Sequence, residues 1–181
     1  VSPFHVRWVR KHKDITDEIR LAKAFCKANK IYGAESYIKG FSGYVLEILT
    51  VHYGSFNGLM RHAAKWGAKT IIDAENFHRG KDIGKELNIA KVQSPLILID
   101  PVQKDRNVAA GLDREKYDKL KSLAKEFLKN PSEDYFVKKK IEIENLRKMT
   151  KGKKLILIEA EPLDGKKDVV GAKLMKFLET I

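Results

Sequence analysis

The sequence lacks features on which several classes of protein depend. It contains a single cysteine, Cys26, so an internal disulfide is impossible and a zinc site built on several cysteines is excluded. No apolar run is long enough to span a bilayer, and no signal peptide is visible. These absences predict a reduced, cytoplasmic protein with no membrane partner, in which Cys26 is a buried, inert thiol.

Recognisable catalytic motifs are also missing. The sequence has no Walker loop, and its serines, histidines and carboxylates do not follow the order of a hydrolase triad. No Asp-x-Asp pair lies on a predicted strand, so the residues do not suggest a two-metal site. We therefore predict no metal ligands and no catalytic residues within this chain.

Positive charge is what the sequence has in excess. Lysine and arginine number 36 and aspartate and glutamate 24, which gives a net charge of +12 over 181 residues. This excess favours a polyanionic partner, because neutralising phosphates releases condensed counterions. Two further causes of a basic composition stay open. Lysine-rich surfaces occur in proteins from hot environments, and basic charge also keeps a chain in solution.

Hydrophobic patterning predicts an α+β protein whose first domain is mainly helical. Apolar residues recur at helical spacing in segments 14–30, 44–53, 56–66 and 113–129. Short strands are predicted over 70–72 and 95–100, where branched apolar residues run together, and a helical stretch over 107–112. Ser42 and Asp113 stand where side chains cap the helices that follow them.

The clearest boundary signal is Asn130-Pro131-Ser132. It divides the chain into a helical domain over 1–130 and a small α/β segment over 131–181. In the second part we predict a strand over 153–160 and a closing helix over 165–181. Residues 135–143 fit either a helix or a strand.

Three segments are unusual enough to carry function. Ser2–Val6 reads as a linker with an anchoring phenylalanine. Segments 31–35 and 40–44 read as a joint between helices, or as a glycine turn that brings the first N–H groups of the next helix near phosphate. The third segment holds Arg106 at a predicted helix start, where the helix dipole disfavours a cation. Either an ion pair with Asp100 or Asp105, or a guanidinium that reads a base or a phosphate, would account for this position.

Taken in order, these segments resemble the archaeal class of CCA-adding tRNA nucleotidyltransferases. The resemblance is dense from about residue 2 to residue 112 and thinner afterwards, and several independent motifs stand in register. The motifs are Ser2-Pro3-Phe4-His5, Tyr32-Gly33-Ala34-Glu35, Gly40-Phe41-Ser42-Gly43-Tyr44, Glu47-Ile48-Leu49, Tyr53-Gly54-Ser55-Phe56, Asp100-Pro101-Val102, Arg106-Asn107-Val108-Ala109-Ala110 and Asp168-Val169-Val170-Gly171.

The resemblance implies the neck of a longer enzyme, with residues 1–130 as the neck and residues 131–181 as the start of the body. Both chain ends read as cuts, and the catalytic head, whose carboxylates hold Mg²⁺, is expected before Val1. The whole enzyme would transfer CMP and AMP from CTP and ATP to the tRNA 3′ end. This segment would help to bind the incoming nucleotide and the acceptor end of the tRNA, and would be inactive alone.

The resemblance also implies site residues. His5 matches a histidine at the nucleotide site, Lys27 matches a lysine that meets the triphosphate, and Arg106 matches an arginine that reads the base edge. The family often has a nucleotide-contacting tyrosine where this sequence has Ser36. Tyr37 follows one residue later and is the candidate to replace it.

For RNA, we expect Lys138, Lys139 and Lys140 to form part of the binding surface, although a lysine run is more commonly just solvated. Two alternatives stay open for the chain as a whole. It could belong to a related poly(A) polymerase-type nucleotidyltransferase, or be a non-catalytic basic RNA-binding module. The sequence also leaves open whether the chain forms a homodimer.

Overall fold

The computed structural model of the chain describes residues 3–87, 92–138 and 165–180, with positions 146, 150 and 156. The chain divides into two compact units, Val1–Val137 and Lys138–Ile181. The first unit combines helices with a three-stranded sheet, which confirms the predicted α+β class.

The described elements of the first unit follow the predicted order closely. They are α1 (Pro3–Arg10), α2 (Thr16–Ala28), α3 (Gly43–Tyr53), α4 (Phe56–Ala63), β1 (Thr70–Ile72), α5 (Ile83–Glu86), β2 (Leu96–Asp100), β3 (Gln103–Asn107) and α6 (Arg114–Lys129). Short 3₁₀ helices occupy Lys13–Ile15 and Glu133–Phe136. In the second unit, α7 spans Lys167–Leu178 and confirms the closing helix, whereas the predicted strand over 153–160 falls almost wholly outside the described residues.

Side-chain caps fix where the main helices begin. The Ser42 hydroxyl accepts a hydrogen bond from Val45 N–H at the start of α3, and Ser55 does the same for Gly58 N–H in α4. Asp113 accepts from Glu115 N–H at the start of α6. Each cap satisfies a backbone donor that the first helical turn leaves without a partner, as predicted for Ser42 and Asp113.

The core of the first unit forms where α2, α3, α4 and α6 pack together. Its centre is an aromatic cluster whose ring centroids lie 5.4–6.0 Å apart. The members of this aromatic cluster are Phe25, Phe56, Phe127, Tyr135 and Phe136. Tilted and edge-on arrangements predominate, which suits the quadrupoles of the rings. Cys26 is buried beside this core, and burial raises the pKa of its thiol, as expected for an inert cysteine.

The aromatic cluster also explains where the first unit ends. Tyr135 and Phe136 pack on Phe25, and the Tyr135 carbonyl accepts a hydrogen bond from the Asn29 side chain. The first compact unit runs to Val137. The Asn-Pro-Ser sequence lies just after the end of α6, and the domain boundary after residue 130 stays a prediction.

The sheet has the order β1-β2-β3, with β1 and β2 parallel and β2 and β3 antiparallel. Every residue of β2 is buried, which the apolar composition of 96–99 predicts and the charge of Asp100 does not. Asn107, the last residue of β3, accepts hydrogen bonds from the N–H groups of Leu98 and Ala109, each at 2.9 Å. Its amide also donates to the Leu96 carbonyl, so a side chain completes the strand pairing.

Two predictions about local structure are wrong. Residues 3–6 belong to α1 and do not form a linker. Residues 103–107 form β3, and residues 108–111 form turns in place of the predicted helical stretch over 107–112. The residues of β3 are polar and mostly exposed. The strand is stabilised by antiparallel pairing with β2 and by the hydrogen bonds of the Asn107 side chain.

Candidate functional site

A buried carboxylate organises the site. Asp100 ends β2, and its side chain is 0% exposed to solvent. Its Oδ2 atom lies 3.1 Å from His5 Nε2 and accepts a hydrogen bond from the Arg106 guanidinium at 3.2 Å. Its Oδ1 atom accepts from the Tyr44 hydroxyl at 3.1 Å and from Val102 N–H at 3.0 Å. A buried charge requires such partners, because the interior cannot solvate it as water does.

Asp100 meets these partners because three separate elements converge at the end of β2. The pairing of β2 with β3 is irregular between Ile99 and Asp100, where the chain turns into Pro101. Helix α1 carries His5, and the first turn of α3 carries Tyr44. We call His5, Tyr44, Asp100 and Arg106 the Asp100 cluster.

Arg106 reaches the cluster from β3. Consecutive strand residues point to opposite faces, so Asn107 lies in the core while Arg106 extends towards Asp100. The Arg106 side chain is 47% exposed, which leaves the guanidinium accessible to another acceptor while Asp100 holds it. The predicted ion pair with Asp100 is confirmed. The predicted position at a helix start is wrong, so the dipole argument does not apply.

Asp100 sets the direction of the hydrogen bonds in the cluster. An ionised carboxylate only accepts hydrogen bonds, so opposite an ionised Asp100 the Nε2 atom of His5 is the donor. The His5 and Tyr44 rings lie 4.3 Å apart and tilted by 31°. Burial, followed by the negative charge of Asp100, raises the pKa of the Tyr44 hydroxyl, so Tyr44 stays a neutral donor.

Two members of the Asp100 cluster, His5 and Tyr44, line a cavity of about 620 Å³. We call it the α1–α3 cavity, because its walls come mainly from α1, from α2 through Lys23, and from the start of α3. Arg10 and Lys23 are its cationic residues, and Glu47 is its one acidic residue among the described positions. A volume of this size suits a small organic ligand.

In the α1–α3 cavity, the Lys23 side chain lies close to Gly43 at the start of α3. A Cβ atom on Gly43 would lie 3.0 Å from the Tyr32 hydroxyl and 3.7 Å from Lys23 Cε, so glycine permits this close approach. Lys23 donates to Glu47 at 2.6 Å, and both side chains are about three-quarters buried. A helix N-terminus beside a lysine can bind an anion, which would compete with Glu47 for the lysine.

The remaining predicted residues are placed less directly. Lys27 lies over the Tyr32 ring, 4.9 Å from its centroid, and Tyr32 lines the cavity. Ser36 and Tyr37 lie in the turn before Gly40 and are not among the residues that line it. The structure therefore brings His5 and Arg106 together through Asp100 and puts Lys27 one ring away from the cavity.

The predicted RNA-binding lysines fall at the start of the second unit. Lys138 is exposed, and Lys139 and Lys140 lie outside the described residues. Within the described positions, no group of three histidine, cysteine, aspartate or glutamate side chains is arranged to hold a metal ion. The residues described here thus do not fit a site for Mg²⁺. None of the helices in the described part of the chain is long and apolar enough to cross a membrane.

Sequence reasoning missed four residues of this site: Tyr44, Asp100, Lys23 and Glu47. Tyr44, Glu47 and Asp100 occur in the motifs that carry the resemblance, but the sequence analysis gives Asp100 no role except as an ion-pair partner of Arg106. One signal could have found Asp100. It is the only charged residue of a strand that is otherwise apolar, and such a residue needs buried partners.

These features define an α+β domain with a cavity beside which a buried carboxylate holds a histidine, a tyrosine and an arginine. Residues 17–137 match the family described as tRNA nucleotidyltransferase, second domain, and the chain belongs to that family. The relatives of this chain include proteins named CCA-adding enzyme. The one from Nanoarchaeum equitans is 46% identical over 65% of this chain and 30% of its own length. The one from Pyrococcus abyssi is 38% identical over 93% of this chain and 39% of its own length.

A third relative, the CCA-adding enzyme of Methanopyrus kandleri, is 42% identical over 75% of this chain and 29% of its own length. The chain spans about a third of the length of the curated relatives that it matches. The predicted membership of the nucleotidyltransferase family is confirmed.

Proposed function

We propose that this chain is the nucleotide- and tRNA-engaging part of a CCA-adding enzyme, which transfers CMP and AMP from CTP and ATP to the tRNA 3′ end. The Asp100 cluster is the observation that carries the proposal. One buried carboxylate orients a histidine, a tyrosine and an arginine beside a cavity of about 620 Å³. The family and its relatives supply the chemistry that such a site would serve.

Arg106 is the group best suited to select the nucleobase. Asp100 fixes one guanidinium nitrogen, so the remaining donors keep a defined direction towards a ligand. On the Watson–Crick edge, cytosine and adenine each present a ring-nitrogen acceptor where uracil and guanine present a ring N–H donor, so rigid donors can favour cytosine and adenine. His5 contributes an acceptor at Nδ1 when its ring is neutral, and it lies within hydrogen-bonding distance of the same carboxylate oxygen as Arg106.

The α1–α3 cavity is suited to the phosphates. Arg10 and Lys23 contribute positive charge, and the start of α3 contributes backbone N–H groups. Lys27 adds a cation near Tyr32 at the end of α2. A triphosphate in this position would displace Glu47 from Lys23, and that competition would make binding sensitive to the charge at residue 47.

We assign the first unit to the neck of the enzyme and the second to the start of its tRNA-binding body, a cytoplasmic role. Nucleotidyl transfer needs divalent metal ions, and in this proposal Mg²⁺ is held by carboxylates of a separate catalytic head. The residues described here would then bind and orient the nucleotide and the RNA. They would not activate the attacking hydroxyl.

Nucleotide binding to the full 181-residue chain tests the proposal. CTP and ATP should bind more tightly than UTP and GTP, and Arg106→Ala should remove the difference. With magnesium and a tRNA that lacks CCA, the chain alone should incorporate no labelled CMP. Binding of ATP but not CTP would favour a poly(A) polymerase-type enzyme. Binding of tRNA without any nucleotide preference would favour an RNA-binding module.

Binding to tRNA provides the second arm. The net charge of +12 predicts that affinity falls as salt rises, with a slope of about −0.9 per neutralised phosphate in a duplex. Affinity that is unchanged between low and moderate salt would contradict a contact based on phosphates.

A further inference from the structure

Helix α1 has a second cavity on another of its faces. This α1 recess has a volume of about 440 Å³ and is lined by Phe4, Arg7 and Trp8 of the helix, by Lys11 in the turn just after it, and by Glu75. Phe4, Arg7 and Trp8 follow the i, i+3 and i+4 spacing that places side chains on one face of a helix. The α1–α3 cavity takes His5, Val6, Val9 and Arg10 of the same helix, so the two cavities are neighbours.

The walls of the α1 recess combine fixed and accessible groups. The Trp8 indole is buried and donates to Glu75 at 2.7 Å, so this acidic residue is already engaged. Phe4 is 64% exposed. Arg7 and Lys11 are exposed and four residues apart, with Arg7 in α1 and Lys11 in the turn that follows. In the described part of the chain, neither of these two cations makes an ion pair.

This combination fits single-stranded nucleic acid. Proteins bind such strands with cations that follow the phosphates and with aromatic rings on which bases stack. A base in a duplex has both faces covered by its neighbours, so an exposed phenylalanine offers it little. Helix α1 contains no acidic residue that would oppose the phosphates.

We propose that the α1 recess binds the single-stranded 3′ end of the RNA that receives the nucleotide. A base would stack on Phe4, and backbone phosphates would bind Arg7 and Lys11. The proposal rests on the proposed function, because the acceptor strand must end beside the incoming nucleotide. Phe4 directly precedes His5, and Pro101 and Val102, which also line the recess, directly follow Asp100. The recess therefore adjoins the Asp100 cluster.

A protein surface is the other kind of partner that a recess with an exposed ring could take. It would have to supply carboxylates to Arg7 and Lys11 at the same time as an apolar group to Phe4. The pairing of two uncommitted cations with one accessible ring favours the RNA strand, which supplies both phosphates and ring faces along its whole length.

The test compares two RNA hairpins with the same stem, one with a single-stranded 3′ overhang and one with a blunt end. Fluorescence anisotropy measures the affinity of the full chain for each. Phe4→Ala should weaken binding of the overhang hairpin about fivefold or more and leave the blunt hairpin unchanged. Phe4→Trp should retain the affinity of the wild type, because it keeps a ring for stacking.

The charge-reversal variant Arg7→Glu/Lys11→Glu should also weaken binding of the overhang hairpin. Its salt slope should be smaller by about 1.4, because each single-strand phosphate contact contributes about 0.7. Lys125→Glu/Lys129→Glu is the matched control, since these lysines are also exposed and four residues apart, and the two substitutions change the net charge equally. Phe77→Ala is the control for loss of an exposed ring. Thermal melts verify that each variant is folded.

Three outcomes would overturn the proposal. If charge reversal weakened binding of both hairpins equally and Phe4→Ala changed neither affinity, Arg7 and Lys11 would contact phosphates of the duplex. If the variants of Phe4, Arg7 and Lys11 all bound RNA as the wild type does, a protein partner would be the better occupant of the recess. No detectable RNA binding would also reject it. CTP binding to the same variants is measured separately and should be unchanged, so loss of the RNA result alone does not affect the proposed nucleotide site.

Discussion

The aromatic cluster and the Asp100 cluster both join distant parts of the first unit, but by opposite chemistry. Phe25 is fully buried and meets four other rings, and its contacts have no charge and only loose directional requirements. Asp100 is equally buried, yet its contacts are charged, directional hydrogen bonds that lead to an arginine nearly half exposed. Burial alone therefore does not separate scaffold from site. What separates them is whether the contacts lead to a group that solvent and ligand can reach.

The largest expected effect is on the scaffold side. Phe25→Ala should lower the free energy of unfolding by about 3–5 kcal/mol, because it removes a ring from the centre of a packed cluster. A thermal melt measures this as a drop in Tm. Nucleotide affinity, measured well below that Tm, should stay the same.

Phe77→Ala is the matched control, because Phe77 is exposed and a surface change of this kind typically stays within about 0.5 kcal/mol. A tenfold loss of CTP affinity in a Phe25→Ala chain that is still folded would contradict the separation of the two clusters.

Substitution of Arg106 should affect nucleotide discrimination more than stability, the reverse of what is expected for Phe25. Arg106→Ala should reduce discrimination of CTP and ATP from the other nucleotides by roughly 1.5–3 kcal/mol for each charge-assisted hydrogen bond lost, or about one to two decades in kcat/KM. Arg106→Lys should be nearly as harmful, because an ammonium cannot reproduce two donors in one plane. The measurement is kcat/KM for four nucleotides, with the chain joined to a catalytic head, beside a thermal melt.

Arg61→Ala removes an exposed arginine from α4 and serves as the control. A purely structural ion pair between Arg106 and Asp100 predicts a lower Tm with discrimination intact. A variant with that behaviour would assign Arg106 to the scaffold.

The helical part of this fold could be predicted because its signals are local. Ser42 and Asp113 mark helix starts through caps that need only the next few residues, and α6 shows its apolar spacing along the sequence. The strand β3 could not be predicted in the same way. Its residues are polar and mostly exposed, and it is stabilised by pairing with β2 and by the side chain of Asn107.

The candidate site was only partly accessible from the sequence for a related reason. His5 and Arg106 were named because their motifs resemble a family, while local reasoning assigned one to a linker and the other to a helix start. Their common partner, Asp100, lies 95 residues from His5. No local sequence pattern encodes a contact over that separation. The central role of Asp100 can be seen only in the folded chain, where β2 and α1 lie together.

Tyr44 tests how strongly the members of the Asp100 cluster depend on one another. Tyr44→Phe removes the hydroxyl that donates to Asp100 and keeps the ring beside His5. Loss of this hydrogen bond should cost about 0.5–1.5 kcal/mol in unfolding free energy. A double-mutant cycle with Asp100→Asn measures the coupling between the two residues. Additive effects of the two changes would mean that the hydroxyl does not act through Asp100.

The smallest expected effect concerns His52, which belongs to neither cluster. Burial, followed by the charge on His62, lowers the pKa of His52 from its ordinary 6.5.

Above pH 6.5, both the folded and the unfolded chain hold the ring of His52 neutral. As the pH falls below that value the unfolded chain binds the proton first, so stability declines until the pH passes the folded pKa. The Tm should therefore fall as the pH is lowered through and below 6.5, and His52→Gln should reduce this fall. His62→Gln should reduce it less, because burial is the larger cause. An identical pH dependence of Tm in the wild type and in His52→Gln would show that acid destabilisation arises at other groups.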